Sequence, residues 1–185
     1  VRSAYDLALK PEVWVEAKLS KPYREIWEEL RGGYVLPLNL EEKHDYQSIS
    51  KTKTFTPPSH NKDFVFSQLS KNIENACIKL RRHNLVTKEA SFFLKTQDFR
   101  YAGLTIQLSR PTASPQEILV ITQEQFPVVY RKKILYRATG VVLGKLGEPG
   151  AGQLDLFGTA LRAERTEEVN KAIDELDEKY GKHTV

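Results

Sequence analysis

The chain has 185 residues, 40% of them hydrophobic and 28% charged, with a formal net charge of +4 and one cysteine. That composition excludes a disordered or fibrous chain, and no apolar run approaches the roughly 20 residues that cross a bilayer. The single Cys77 excludes an internal disulfide and leads to the expectation of a reducing, cytoplasmic compartment with no membrane partner. Residues 1–47 hold 7 Lys/Arg against 9 Asp/Glu, residues 48–146 hold 16 against 6, and residues 147–185 hold 5 against 9. The basic charge therefore belongs to one central block, and a block of that sign points to a polyanion as partner. The absence of methionine and the abrupt start at Val1 predict a piece of a longer protein.

Residues 1–36 are expected to be short helices. Leu7, Leu9, Val13, Trp14 and Ala17 recur at helical spacing; after Ser20, Pro22 opens a second stripe of Ile26, Trp27 and Leu30, which Gly32 and Gly33 end. So few residues cannot bury two tryptophans unaided, which predicts the end of a helical domain. Residues 37–47, with Pro37 and mixed charge, read as a linker.

Residues 48–146 read β-α-β-β-α-β, an α+β fold with a four-stranded, mostly antiparallel sheet and two helices on one face. Ser48 to Phe55 alternates and is bounded by Pro57 and Pro58, which predicts a strand. Phe66, Leu69, Ile73, Cys77 and Leu80 mark a long amphipathic helix from Lys62 to about His83, with Cys77 as a buried thiol on its apolar stripe. Strands follow at 89–96 and 100–109, joined by a turn at Gln97-Asp98. Ser114-Pro115-Gln116-Glu117 predicts a capping box, and Pro127 is expected to kink or end the helix behind it. Residues 134–146 complete the sheet.

Two helices on one face leave the other face open. In the first strand Ser48, Ser50, Thr52 and Thr54 share one side, while Lys51, Lys53 and Phe55 share the other with Ile49. Hydroxyls, backbone amides and Lys/Arg ends together are phosphate ligands. Lys132, Lys133, Arg137 and Thr139 add to them around the last strand. The aromatics of these segments fall out of stacking register, so phosphate tracking is favoured over base reading.

Residues 147–185 form an acidic tail. Gln153, Leu154, Asp155, Leu156 and Phe157 sit in a run rich in Gly and Pro that cannot build a core. Large apolar side chains on such a leash suit a peptide that docks into a partner's pocket; a loop tucking them into its own domain is the bland alternative. A helix after Thr166, with Val169, Ile173, Leu176 and Tyr180 on one stripe, is expected to pack on the parent protein.

The strands Ser48-Ile49-Ser50-Lys51-Thr52-Lys53-Thr54-Phe55 and Tyr136-Arg137-Ala138-Thr139-Gly140-Val141 resemble the two signature strands of the little finger domain of Y-family translesion DNA polymerases, the DinB/UmuC type. Tyr23 to Gly32 resembles the end of that family's thumb, and Gln153 to Phe157 resembles the pentapeptide by which its members hold the bacterial sliding clamp (the beta subunit). Ala172 to Lys182 resembles the helix that follows the clamp peptide in UmuC-like members. Ser50 and Lys51 stand where DinB-type members often have Gly and Arg, and Val142 where some members carry a further basic residue.

The resemblance implies that Ser48, Ser50, Lys51, Thr52, Lys53 and Thr54 bind the phosphates of one strand of primer-template DNA. Lys132, Lys133, Arg137 and Thr139 would serve the other strand. The parent would be an error-prone polymerase of damage bypass and the SOS response, with Mg2+ in its palm. This chain is expected to hold no catalytic residues, no metal and no cofactor, and to incorporate no nucleotides alone. The alternatives are a catalytically inactive Y-family adaptor, an RNA-binding module and a small enzyme of unknown type. The RNA-binding module is disfavoured because the sequence shows no base-stacking aromatics on the open sheet, the enzyme by the lack of a convergent acid, base and nucleophile.

Overall fold

A computed structural model describes residues 1–35, 37–38, 46–150 and 159–181, with only the helical backbone for 159–167. It divides into two units, Val1–Lys43 and His44–Val185. Part of the expected linker and the whole of Gln153 to Phe157 lie outside the described residues.

The first unit holds three short helices, α1 (Ala4–Ala8), α2 (Glu12–Lys18) and α3 (Lys21–Leu30). Ser3 caps α1 reciprocally with Asp6, and Pro22 lies in the first turn of α3. A small core forms around buried Val15 and Trp27. The indole Nε1 of Trp27 donates to the carbonyl of Lys10 at 3.1 Å, and Arg31 stacks over the ring at 4.6 Å. Gly32, at φ 87, ends α3 in the left-handed conformation that glycine adopts without cost.

The second unit runs β1 (Ile49–Ser59), α4 (Lys62–Arg82), β2 (Val86–Thr96), β3 (Tyr101–Thr112), α5 (Pro115–Val129), β4 (Tyr136–Gly147) and α6 (Thr159–Tyr180). The strands form one antiparallel sheet in the order β1-β4-β2-β3. The core lies between one sheet face and α4 and α5: Val65, Leu69, Ile73 and Leu80 of α4 and Ile118 and Phe126 of α5 pack with Ile49, Phe92, Leu94, Ile106 and Leu143. Asn61 caps α4 by accepting from the amide of Phe64 at 2.9 Å. Cys77 is fully buried in this core, and burial pushes its thiol up to about 12, which removes it as a nucleophile at neutral pH.

Two of four local expectations are corrected, those at Pro57-Pro58 and at Ser114. Pro57 and Pro58 do not stop β1, which runs to Ser59; β1 is an edge strand, so the prolines need no ladder donor on the outer side. Pro127 lies within the last turn of α5, which ends two residues beyond it at Val129. The Ser114 side chain makes no capping bond; its hydroxyl donates to Gln116 Oε1 at 2.9 Å, and Glu117 is taken instead by Arg110. In α6, Val169, Leu176 and Tyr180 are exposed, whereas Asn170 is buried. The helix is held to α4 by a two-pronged ion pair in which Arg81 donates to the Asp174 carboxylate at 2.5 and 2.6 Å.

One buried polar contact ties α4 to the sheet. Asn72 Nδ2 donates to the backbone carbonyl and to the hydroxyl of Thr139, at 3.0 and 2.9 Å. Asn72→Ala orphans that hydroxyl in the core and is expected to cost about 1–3 kcal/mol in a urea melt. Retention of wild-type stability would show that the contact contributes nothing.

Candidate nucleic-acid interface

The pairing register lays out the helix-free face of the sheet as four cross-strand rows. Ser50, Val142, Ser91 and Thr105 form the first; Thr52, Gly140, Phe93 and Gly103 the second; Thr54, Ala138, Lys95 and Tyr101 the third. The fourth joins Gly144, Glu89 and Gln107. Ser50, Thr52 and Thr54 are exposed, because burial of Ile49 and Phe55 on the opposite side of β1 dictates which side faces outward. The Phe93 ring lies over Gly140, which leaves room for it. A Cβ at that position would meet the ring of Phe93 and the Thr52 hydroxyl, the latter at 2.8 Å.

The candidate phosphate ligands do not all share this face. Ser48 is exposed just before β1. Lys51 and Lys53 lie on the helix side of the edge strand, paired with Val141 and Thr139, with Lys53 exposed and Lys51 half-buried. From an edge strand, long lysine side chains can still flank a ligand on the open face. Lys132 and Lys133 are exposed in the α5–β4 loop, where Lys132 borders a cleft with His60, Lys62, Asp63 and Tyr130. Arg137 is half-buried at the start of β4, beside an irregularity in its pairing with β2.

Thr139 is a correction. Its side chain is 0% exposed on the helix side, where its hydroxyl accepts from Asn72, so it offers no hydroxyl to a ligand. A second correction concerns the aromatics. Phe93 and Tyr101 stand on the open face with ring centroids 5.5 Å apart in edge-to-face geometry, and Phe99 joins them from the β2–β3 turn. Lys95 Nζ sits 5.0 Å from the Phe99 ring and 4.8 Å from the Tyr101 ring; Arg137 lies 4.4 Å from Phe99. The signal was available. Phe92 and Phe93 are adjacent in a strand, so one of them must face away from the core.

The one acidic side chain on the described strands is neutralised locally. Glu89 accepts from Gln107 at 2.6 Å and pairs with Lys145 at 3.1 Å, and these bonds, the one from Gln107 foremost, hold its carboxyl below the ordinary value. Electrostatically the open face is thus hydroxyl-lined along β1 and cationic at the Lys95–Arg137 corner.

The impB/mucB/samB family C-terminal domain matches residues 46–156. The chain belongs to that family. DNA polymerase IV of Pelotomaculum thermopropionicum is 30% identical over 112 residues, 60% of this chain and 27% of the polymerase. Protein ImpB of Salmonella typhimurium is 23% identical over 184 residues, 96% of this chain and 43% of ImpB. Among solved structures, the complex of a beta-clamp processivity factor and the little finger domain of polymerase IV is similar at a TM-score of 0.45 and 14% identity, over 60% of this chain and 98% of that chain. The chain spans 27% to 43% of the length of these two sequence relatives.

Glu89, Glu117 and Asp174 are each bound to a cation, and no three His, Cys, Asp or Glu side chains gather to hold a metal among the described residues. No helix among them is long and apolar enough to cross a membrane.

Proposed function

We propose that this chain is the DNA-gripping and clamp-binding region of an error-prone translesion polymerase acting in damage bypass. Primer-template phosphates lie along the open face of the sheet. The observation that carries the reading is the exposed Ser50, Thr52 and Thr54 row, in a block holding 16 Lys/Arg against 6 Asp/Glu. Membership of the family and the similarity to a DNA polymerase IV support it. Backbone amides and hydroxyls of residues 48–54, with Lys51 and Lys53 flanking, bind one strand; Lys132, Lys133 and Arg137 bind the other. Gln153, Leu154, Asp155, Leu156 and Phe157 dock the chain to the sliding clamp. Nucleotide incorporation belongs to carboxylates and Mg2+ elsewhere in the parent, so the chain alone extends no primer.

The test is the affinity of the purified chain for fluorescent primer-template duplex and for single-stranded RNA at about 50 and about 200 mM salt. Duplex affinity that falls on the order of tenfold or more supports the reading. Tighter binding to RNA, with little salt dependence, overturns it in favour of a stacking RNA-binding module.

A further inference from the structure

We infer that the corner of the open face built from Phe93, Phe99, Tyr101, Lys95 and Arg137 is a stacking site for an unpaired DNA base. It lies beside the phosphate-binding row and is distinct from it. The inference rests on the reading of the open face as the DNA-binding face, and it adds a ligand class: single-stranded template rather than duplex alone.

Three observations carry it. Phe99 and Tyr101 are 61% and 62% exposed, so two large rings face solvent a few ångströms from two cations. Rings interleaved with Lys and Arg match a ligand that presents both π-faces and negative charge. Next, Phe99 is held at φ 65, a left-handed conformation that a bulky aromatic adopts only under constraint. The constraint is visible. The Phe99 amide donates to the Thr96 carbonyl at 3.0 Å, the Arg100 amide to the Thr96 hydroxyl at 3.1 Å, and the Gln97 amide to the Leu135 carbonyl at 2.8 Å. The turn thus spends conformational strain on presenting a ring to solvent, where Gly or Asn would sit without strain. Finally, the corner is level with the hydroxyl row: Tyr101 and Lys95 share a cross-strand row with Ala138 and Thr54. A nucleic-acid strand that crosses the sheet along this row meets the β1 hydroxyls first, then Lys95 and these rings.

The experiment compares a blunt duplex with the same duplex carrying a single-stranded overhang that contains the fluorescent base aminopurine. The whole chain is expected to bind the overhang substrate about fivefold to a hundredfold more tightly and to quench the probe, the range that stacking of one base on an aromatic supplies. Phe99→Gly removes the ring and the strain together, so its melting temperature should not fall while the overhang preference and the quenching are lost. Tyr101→Ser should reduce both and leave blunt-duplex affinity unchanged. If the wild-type chain binds blunt duplex but shows neither preference nor quenching, the stacking site is refuted and the phosphate reading stands. Binding to neither substrate would overturn both, and would leave a protein partner as the occupant of the aromatic corner. Retention of the preference in Phe99→Gly would also refute the inference.

Discussion

Placing two carboxylates on the hydroxyl row, Thr52→Glu with Thr54→Glu, is expected to lower duplex affinity by about a hundredfold. Each glutamate would face phosphates across a few ångströms of partly screened solvent, a repulsion of about 1–2 kcal/mol, or roughly tenfold per residue. The loss should shrink as salt is added, because screening weakens the repulsion and the attraction alike. Folding is not the confounder. Both threonines are exposed on an edge strand and neither belongs to the core, so the cost to stability should stay within about 1 kcal/mol. Fluorescence anisotropy with labelled duplex reads the outcome. An affinity within about threefold of wild type would remove β1 from the interface.

The second large effect is expected at the tail. Leu156→Ala with Phe157→Ala should abolish binding to a bacterial sliding clamp while leaving DNA affinity unchanged. In a short docking peptide the energy concentrates in a few apolar anchors, each worth about 2–4 kcal/mol, so losing two takes a micromolar complex out of measurable range. Surface plasmon resonance with immobilised clamp checks it. Undiminished binding by the double variant would show that these residues tuck into their own domain, or that another segment holds the clamp.

Most of the sheet-and-helix order was legible because its period is carried by residues that must be buried. The stripe Leu69, Ile73, Cys77 and Leu80 has one helical solution, and the pair Ile49 and Phe55 assigns β1 its inner side, leaving Ser50, Thr52 and Thr54 outward. What escaped depends on partners distant in sequence. Thr139 is turned inward, where Asn72 sits 67 positions away to receive it, and no local pattern contains that bond. Glu117 left its capping role for Arg110, a tertiary ion pair that outcompetes a local hydrogen bond. Pro57 and Pro58 look like strand breakers until the sheet order shows that β1 has a free edge. The aromatic corner is legible in part, because the adjacent Phe92 and Phe93 require one ring on the open face.

Amide chemical-shift mapping of isotope-labelled protein titrated with primer-template duplex addresses the central claim most directly. The DNA-gripping account predicts shifts concentrated in residues 48–54, 91–95 and 137–142, with α4 and α5 silent. Shifts confined to α4 and α5, with the open face of the sheet unperturbed, would contradict it.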